Sequence, residues 1–178
     1  MTMSTSIAKE PLKMGRVLIV AGSDSSGGAG IQADIKTVTM LGQYAATAIT
    51  AITVQNTLGV SDVCGMGPAL INAQIRAVVE DVGADTIKTG MLHSSAVIEG
   101  LIETLDELSW GGALIVDPVM VATSGDRVVD KAAIKTIRTV LLPRASIVTP
   151  NIPEAEVLTW HVIPSVDDMK RAAETILS

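Results

Sequence analysis

Gly22, Gly27, Gly28 and Gly30 fall within nine residues, with Ser23, Ser25 and Ser26 among them. Glycine lets a backbone come close to a ligand, and a Gly/Ser loop that opens a helix offers amide N–H groups to a small polar molecule. Other polar breaks interrupt an otherwise apolar chain. Gln55-Asn56 ends one apolar run, and a side-chain amide can pair with a ring nitrogen beside an exocyclic amine. Asp117-Pro118-Val119 ends another; its carboxylate, stiffened by the proline, suits a metal ion or a metal-bound water. Asn151 and Glu154 stand three apart around Pro153, where the amide could meet a phosphate oxygen and the carboxylate could orient a Mg²⁺-bound water. Asp34 sits one turn into the helix behind the glycine run, where the helix dipole favours an anion. Each group also has a purely structural use. Gln55 could cap a strand end, Asp34 could stabilise its helix, and Asn151 with Glu154 could cap theirs.

Two common phosphate-binding readings of the glycine run fail. No Gly-Lys-Ser/Thr follows, so it is not a P-loop. Gly28-x-Gly30-x-x-Ala33 has dinucleotide spacing, but it starts too far behind the strand, and Gln55 stands where the ribose-binding acid belongs. His93 and His161 have no evident partner in sequence and are read as structural or exposed. Cys64, the only cysteine, is read as a loop residue without catalytic company, so no disulfide or thiolate zinc site is expected and a reduced, cytoplasmic setting fits.

These residues must be held by a scaffold. The 178 residues suffice for one domain with a sizeable core, and at 48% apolar the chain is not disordered. Phenylalanine is absent, so the core is aliphatic. The net charge of −6 without a Lys/Arg run argues against a nucleic-acid surface, and no apolar stretch of membrane-spanning length occurs. Residues 1–14 read as a flexible leader lacking a signal-peptide core, and 15–178 as a single domain. Strands are expected at 16–21, 45–54, 84–89, 113–117 and 146–149, apolar without clean alternation as strands covered on both faces should be. Helices are expected at 29–41, 69–82, 95–108 and 131–142, the last capped by Asp130. A further helix, opened by a Ser165/Asp168 capping box, should run to about Leu177. Alternating strands and helices imply a parallel sheet between helical layers, with ligands bound at the carboxyl ends of the strands. The polar breaks fall at those ends.

The segments AGSDSSGGAGIQADIKT (21–37), TAITAITVQNTLGV (47–60), IKTGML (87–92), VDPVMVATSGD (116–126) and LLPRASIVTPNIPEAE (141–156), in this order, resemble the ribokinase-like superfamily. Within it they are most similar to the hydroxymethylpyrimidine/phosphomethylpyrimidine kinases of thiamine biosynthesis. The resemblance runs unbroken from about Arg16 to Glu156 and implies a three-layer α/β/α fold with a mostly parallel sheet. It implies ATP-dependent, Mg²⁺-assisted phosphorylation of 4-amino-5-hydroxymethyl-2-methylpyrimidine and then of its monophosphate. By motif position Gln55 would pair with the aminopyrimidine edge, Gly22, Asp34, Met91 and Val119 would line its pocket, and Asp117, Asn151 and Glu154 would serve the phosphate side. Asp117 and Glu154 would serve the metal. The resemblance also suggests a homodimer, for which no interface stripe is evident.

The family's Gly-Thr-Gly-Cys segment, which supplies an anion hole and the residue proposed to activate the substrate hydroxyl, does not occur in these residues. No catalytic residue is therefore assigned. The fold is expected to be C-terminally incomplete, the chain alone to be a poor kinase, and the sheet edge at 146–149 to invite pairing with another chain. Two other readings stand beside the first. One is a pyridoxine or pyridoxal kinase of the same superfamily, the other a non-catalytic ligand-binding fragment.

Overall fold

The computed structural model describes residues 14–120 and 131–178. Residues 1–13 of the expected leader, the expected cap Asp130 and the 121–126 part of one motif lie outside them.

Val17-Leu18-Ile19-Val20-Ala21 needs cover on both sides, and the fold provides it. β1 (Arg16–Ser23) runs through the middle of a six-stranded sheet. It is flanked by β2 (Tyr44–Asn56) and β4 (Thr86–Thr89), both parallel to it, and the sheet continues through β5 (Ala113–Val116) to β6 (Ile147–Val148). Residues of alternate parity serve opposite faces. Ile19 and Ala21 pack with Ile31 of α1 (Gly30–Met40) on one face. Leu18 and Val20 meet Ile71 and Ile75 of α2 (Pro68–Ala77) on the other, with Val97, Ile98 and Leu101 of α3 (Ser95–Glu107). Ala133, Ile134 and Ile137 extend that second layer from α4 (Lys131–Thr136) and the turn after it. The expected α/β/α layering around a mostly parallel sheet is present.

Differences from the sequence expectations are local. β3 (Gly59–Gly65), not anticipated, pairs antiparallel with β2 and forms one sheet edge. Cys64 lies on this strand, exposed, and not in a loop. Gln55 and Asn56 are therefore the last residues of β2, not a loop beyond it. The helices expected at 69–82 and 131–142 each stop being α-helical early. α2 gives way at Val78 to a π-helical turn through Val82, and α4 gives way at Ile137 to another through Leu141. β4 starts at Thr86, two residues later than expected, and the Ala84 carbonyl accepts from the Trp110 indole N–H at 2.8 Å. α5 (Ile152–Thr159) and α6 (Val166–Leu177) follow β6. Ser165 caps α6 as expected, accepting from the Asp168 N–H at 3.2 Å. The Asp168 carboxylate also meets the Ser165 hydroxyl and Arg171. Among the described residues no helix is long and apolar enough to cross a membrane.

Candidate active site

The carboxyl ends of β1, β2, β4 and β5 open onto one cavity of about 590 Å³. Gly22, Asp34, Gln55, Met91, Asp117 and Val119 all line it. Six of the eight residues singled out from the sequence thus share a single surface. Asn151 and Glu154 do not line it. They stand at the neighbouring end of β6, where α5 begins.

The first part of the rim is the glycine loop, and its amides do not point outward. Asp24, almost wholly buried, turns its carboxylate into the loop. Oδ1 accepts from the Ser26 N–H at 2.8 Å and the Ser26 hydroxyl at 2.7 Å, while Oδ2 accepts from Gly28 at 2.9 Å and Ala29 at 2.7 Å. An internal anion fills the cradle that the sequence suggested for a ligand. Burial pushes the Asp24 carboxyl up, but the hydrogen bonds from Ser26, Ala29 and Gly28 outweigh it and leave it below its ordinary range. Gly30 follows at φ +56, and a Cβ there would run into the Gly22 carbonyl oxygen. Only glycine lets the loop fold back on β1 this tightly.

The loop is also fastened to β2. The Ser25 hydroxyl donates to Gln55 O at 2.7 Å and accepts from Gln55 N–H at 2.8 Å. The Thr53 hydroxyl reaches Ser23 O at 2.7 Å and the Gln55 side-chain oxygen at 3.3 Å. Gln55 is therefore held through its backbone, and its side-chain amide lies against the Thr53 hydroxyl. Met91 is fixed through its carbonyl, which accepts from the buried Thr50 hydroxyl at 2.7 Å. A Cβ on Gly22 would come within 2.8 Å of the Met91 Cε, so the glycine leaves room for the thioether across the cavity floor.

Asp34, from α1, and Asp117, after β5, converge on one cation. Lys88 Nζ donates to Asp34 Oδ2 at 2.8 Å and lies 3.4 Å from Asp117 Oδ2. Among the described residues Lys88 is the one Lys or Arg lining the cavity. Asn151 and Glu154 make a complete capping box. Asn151 Oδ1 accepts from the Glu154 N–H and Glu154 Oε2 accepts from the Asn151 N–H, both at 2.9 Å. Glu154 is buried, and burial, reinforced by the like charge of Asp117, holds its carboxyl above the ordinary glutamate range despite hydrogen bonds from Asn151 and Met120. His93 and His161 have modest roles, their ring nitrogens meeting Met66 O at 3.2 Å and Thr159 O at 2.7 Å.

Comparison with known proteins places this arrangement. The family model described as phosphomethylpyrimidine kinase matches residues 24–178. The chain belongs to the phosphomethylpyrimidine kinase family. It is 46% identical over 162 residues to the hydroxymethylpyrimidine/phosphomethylpyrimidine kinase of Bacillus subtilis, covering 91% of this chain and 59% of that one. It is 47% identical over 168 residues to a thiamine biosynthesis bifunctional protein of Geobacter sulfurreducens, covering 94% of this chain and 34% of that one. The crystal structure of phosphomethylpyrimidine kinase from Clostridium difficile superposes with a TM-score of 0.84 at 47% identity, over 92% of this chain and 70% of that one. A pyridoxal kinase of Staphylococcus aureus, solved with pyridoxal, gives a TM-score of 0.81 at 37% identity, over 92% of this chain and 59% of that one. The chain spans between about a third and three fifths of the length of these curated relatives.

In this phosphomethylpyrimidine kinase family member, the residues that sequence reasoning passed over are Lys88, Asp24 and Thr53, and Ser25 is read there only as a loop serine, without its bond to β2. Lys88 had a readable signal, since a lone cation inside an apolar strand needs a carboxylate partner. Asp24 amid serines and glycines is the composition of a side-chain-bonded turn. Thr53 and Ser25 gave none, because their roles depend on a pairing between two strand ends.

Proposed function

We propose that this chain carries the pyrimidine pocket of an ATP-dependent kinase that phosphorylates 4-amino-5-hydroxymethyl-2-methylpyrimidine and its monophosphate. The observation that carries the reading is that Gly22, Asp34, Gln55, Met91, Asp117 and Val119 line one cavity in a chain of the phosphomethylpyrimidine kinase family. Gln55 offers the amide that an aminopyrimidine edge pairs with. Gly22, Met91 and Val119 supply the small and apolar walls against which a flat ring packs. Asp34, steadied by Lys88, faces the cavity as an acceptor for a substrate hydroxyl.

The phosphate side is Asp117 with Asn151 and Glu154. Two carboxylates near one another, one of them buried and resisting ionisation, suit a divalent cation as countercharge. Among the described residues no three His, Cys, Asp or Glu side chains form a metal-holding group. Mg²⁺ keeps several waters and takes its other ligands from nucleotide phosphates. Asp117 and Glu154 would hold it, and when bound with ATP it supplies charge neutralisation for phosphoryl transfer. Asn151 would approach a phosphate oxygen. Asp117, paired to Lys88, keeps the two halves of the rim in fixed relation.

The test is calorimetric titration of the 178-residue chain with the aminopyrimidine and with pyridoxal, followed by an assay for phosphorylated pyrimidine with ATP and Mg²⁺. Saturable binding of the aminopyrimidine, tighter than of pyridoxal, is expected, and Gln55→Ala should weaken it by about tenfold or more. Tighter binding of pyridoxal would favour a vitamin B6 kinase, the alternative kept alive by the likeness to the Staphylococcus aureus enzyme. Binding of neither ligand would leave no support for the pocket assignment.

A further inference from the structure

Thr53 carries one hydroxyl proton and faces two oxygens. Its Oγ1 lies 2.7 Å from Ser23 O and 3.3 Å from Gln55 Oε1. A single proton makes one good hydrogen bond, and the shorter contact to the Ser23 carbonyl takes it. Two oxygens would then meet at the Thr53–Gln55 contact with no proton between them, next to a residue that is 7% exposed. The two ends of a side-chain amide are nearly equal in shape, so the hydrogen-bond count decides which end faces inward. With the Gln55 amide turned about, Nε2 donates to Thr53 Oγ1, Thr53 donates to Ser23 O, and every group is served. The carbonyl oxygen and one remaining N–H of Gln55 are then free for the cavity that Gln55 lines.

We propose that Thr53 is a positioning residue that sets substrate specificity by fixing which end of the Gln55 amide faces the ligand. This inference rests on the pyrimidine-kinase reading of the pocket and deepens it. A freely turning glutamine amide pairs equally well with an amino group beside a ring nitrogen or with a carbonyl beside a ring N–H, because flipping it exchanges donor for acceptor. The Thr53 hydroxyl removes that freedom. Its own proton is committed to Ser23, so it can only accept from Gln55. The flipped amide sets two lone pairs against each other, which biases the site toward the amino edge. The backbone of Gln55 cannot relax to compensate, since Ser25 grips both its N–H and its carbonyl.

The test uses the full chain, its Thr53→Val and Thr53→Ser variants, and two probes. These are 4-amino-5-hydroxymethyl-2-methylpyrimidine and its 4-oxo counterpart, whose edge has donor and acceptor exchanged. The parent chain should prefer the amino probe. Thr53→Ser should keep that preference and Thr53→Val should shrink it by about tenfold, the scale of mis-pairing one buried polar group. A Thr53 that only supports the fold would change both affinities alike and leave their ratio untouched. That result in a folded Thr53→Val would overturn the proposal. Independently of any ligand, a nuclear Overhauser contact between the Gln55 side-chain NH₂ and the Thr53 methyl is expected in the free chain. Its absence would also overturn the proposal. If neither probe bound the parent chain, the pyrimidine reading would fall, while the NH₂ contact would still decide the amide's orientation, and a Thr53→Val that failed to fold would leave that same contact as the deciding measurement.

Discussion

At the residue scale, the site is a problem in balancing charge. Asp34 and Asp117 approach a common ammonium, and their side chains, like that of Lys88, are only about a quarter to a third exposed. Removing the cation leaves two half-buried carboxylates without a partner. Lys88→Met should cost about 1–2 kcal/mol of stability by urea denaturation, less than a fully buried pair would because water still reaches all three groups. It should also weaken aminopyrimidine binding, since Asp34 loses the contact that aims it. An unchanged affinity would mean that Asp34 is held by its helix alone. Glu154 gives a pH signature of definite sign. Its carboxyl titrates above its unfolded value, so its contribution to stability is complete below the ordinary glutamate range, near ~4.3, and is lost as pH rises through the raised value. Glu154→Gln keeps an acceptor for the Asn151 N–H and cannot ionise. In denaturation curves across a pH series running upward from about 5, the variant should gain on the parent chain. A gap that stayed constant would show that Glu154 is not strained by its charge.

At the element scale, the glycine loop is the part that behaves least as its composition suggests. Asp24 holds it shut from inside, so Asp24→Asn should lower stability by about 1–3 kcal/mol at neutral pH, because an amide cannot accept the four hydrogen bonds that the two carboxylate oxygens take. Here the sign opposes that of Glu154. The depressed Asp24 carboxyl contributes above its unfolded value, and the parent chain's advantage over the variant should vanish as pH falls through the folded one. Gly30→Ala should cost about 2 kcal/mol or more by the same measurement, since it adds a clash with β1 to a positive φ. Gly42→Ala, at φ +74 with open space around it, should cost about 1 kcal/mol. The sheet itself was legible because the central strand β1 is buried on both faces and β2, β4 and β5 carry apolar runs beside it. β3 was not, since Ser61, Asp62, Val63 and Cys64 are all exposed and no burial shaped the sequence there. The ends of α2 and α4 were also hidden, because a π-helical turn keeps the same face apolar as the α-helix before it. Gly22, Gln55 and Asp117 could be read as a set because each stands at the end of an apolar run. What each does there could not be read, since Asp24 looks in sequence like any loop aspartate that a ligand might meet.

At the scale of the whole molecule, the sheet is closed unevenly. One edge is β3, a polar strand whose Asp62 and Ser61 discourage pairing with a foreign strand. The other edge is β6, whose outer side pairs with no strand among the described residues. Ile147 there is 53% exposed and carries no neighbouring charge on its own two-residue strand. An apolar strand edge with unpaired backbone groups is a template for another chain, and the 178-residue chain's net charge of −6 supplies only weak repulsion at physiological salt, where exposed charges are screened beyond roughly 8 Å. The 178-residue chain should therefore self-associate as its concentration rises, and light scattering after size exclusion should show it. Ile147→Lys places a charge on that edge without touching the cavity, so it should reduce association while leaving aminopyrimidine affinity within about twofold. If Ile147→Lys associated as readily as the parent chain, the contact would have to lie elsewhere. The exposed Ile52 and Val54 of β2 would then be the next surface to charge.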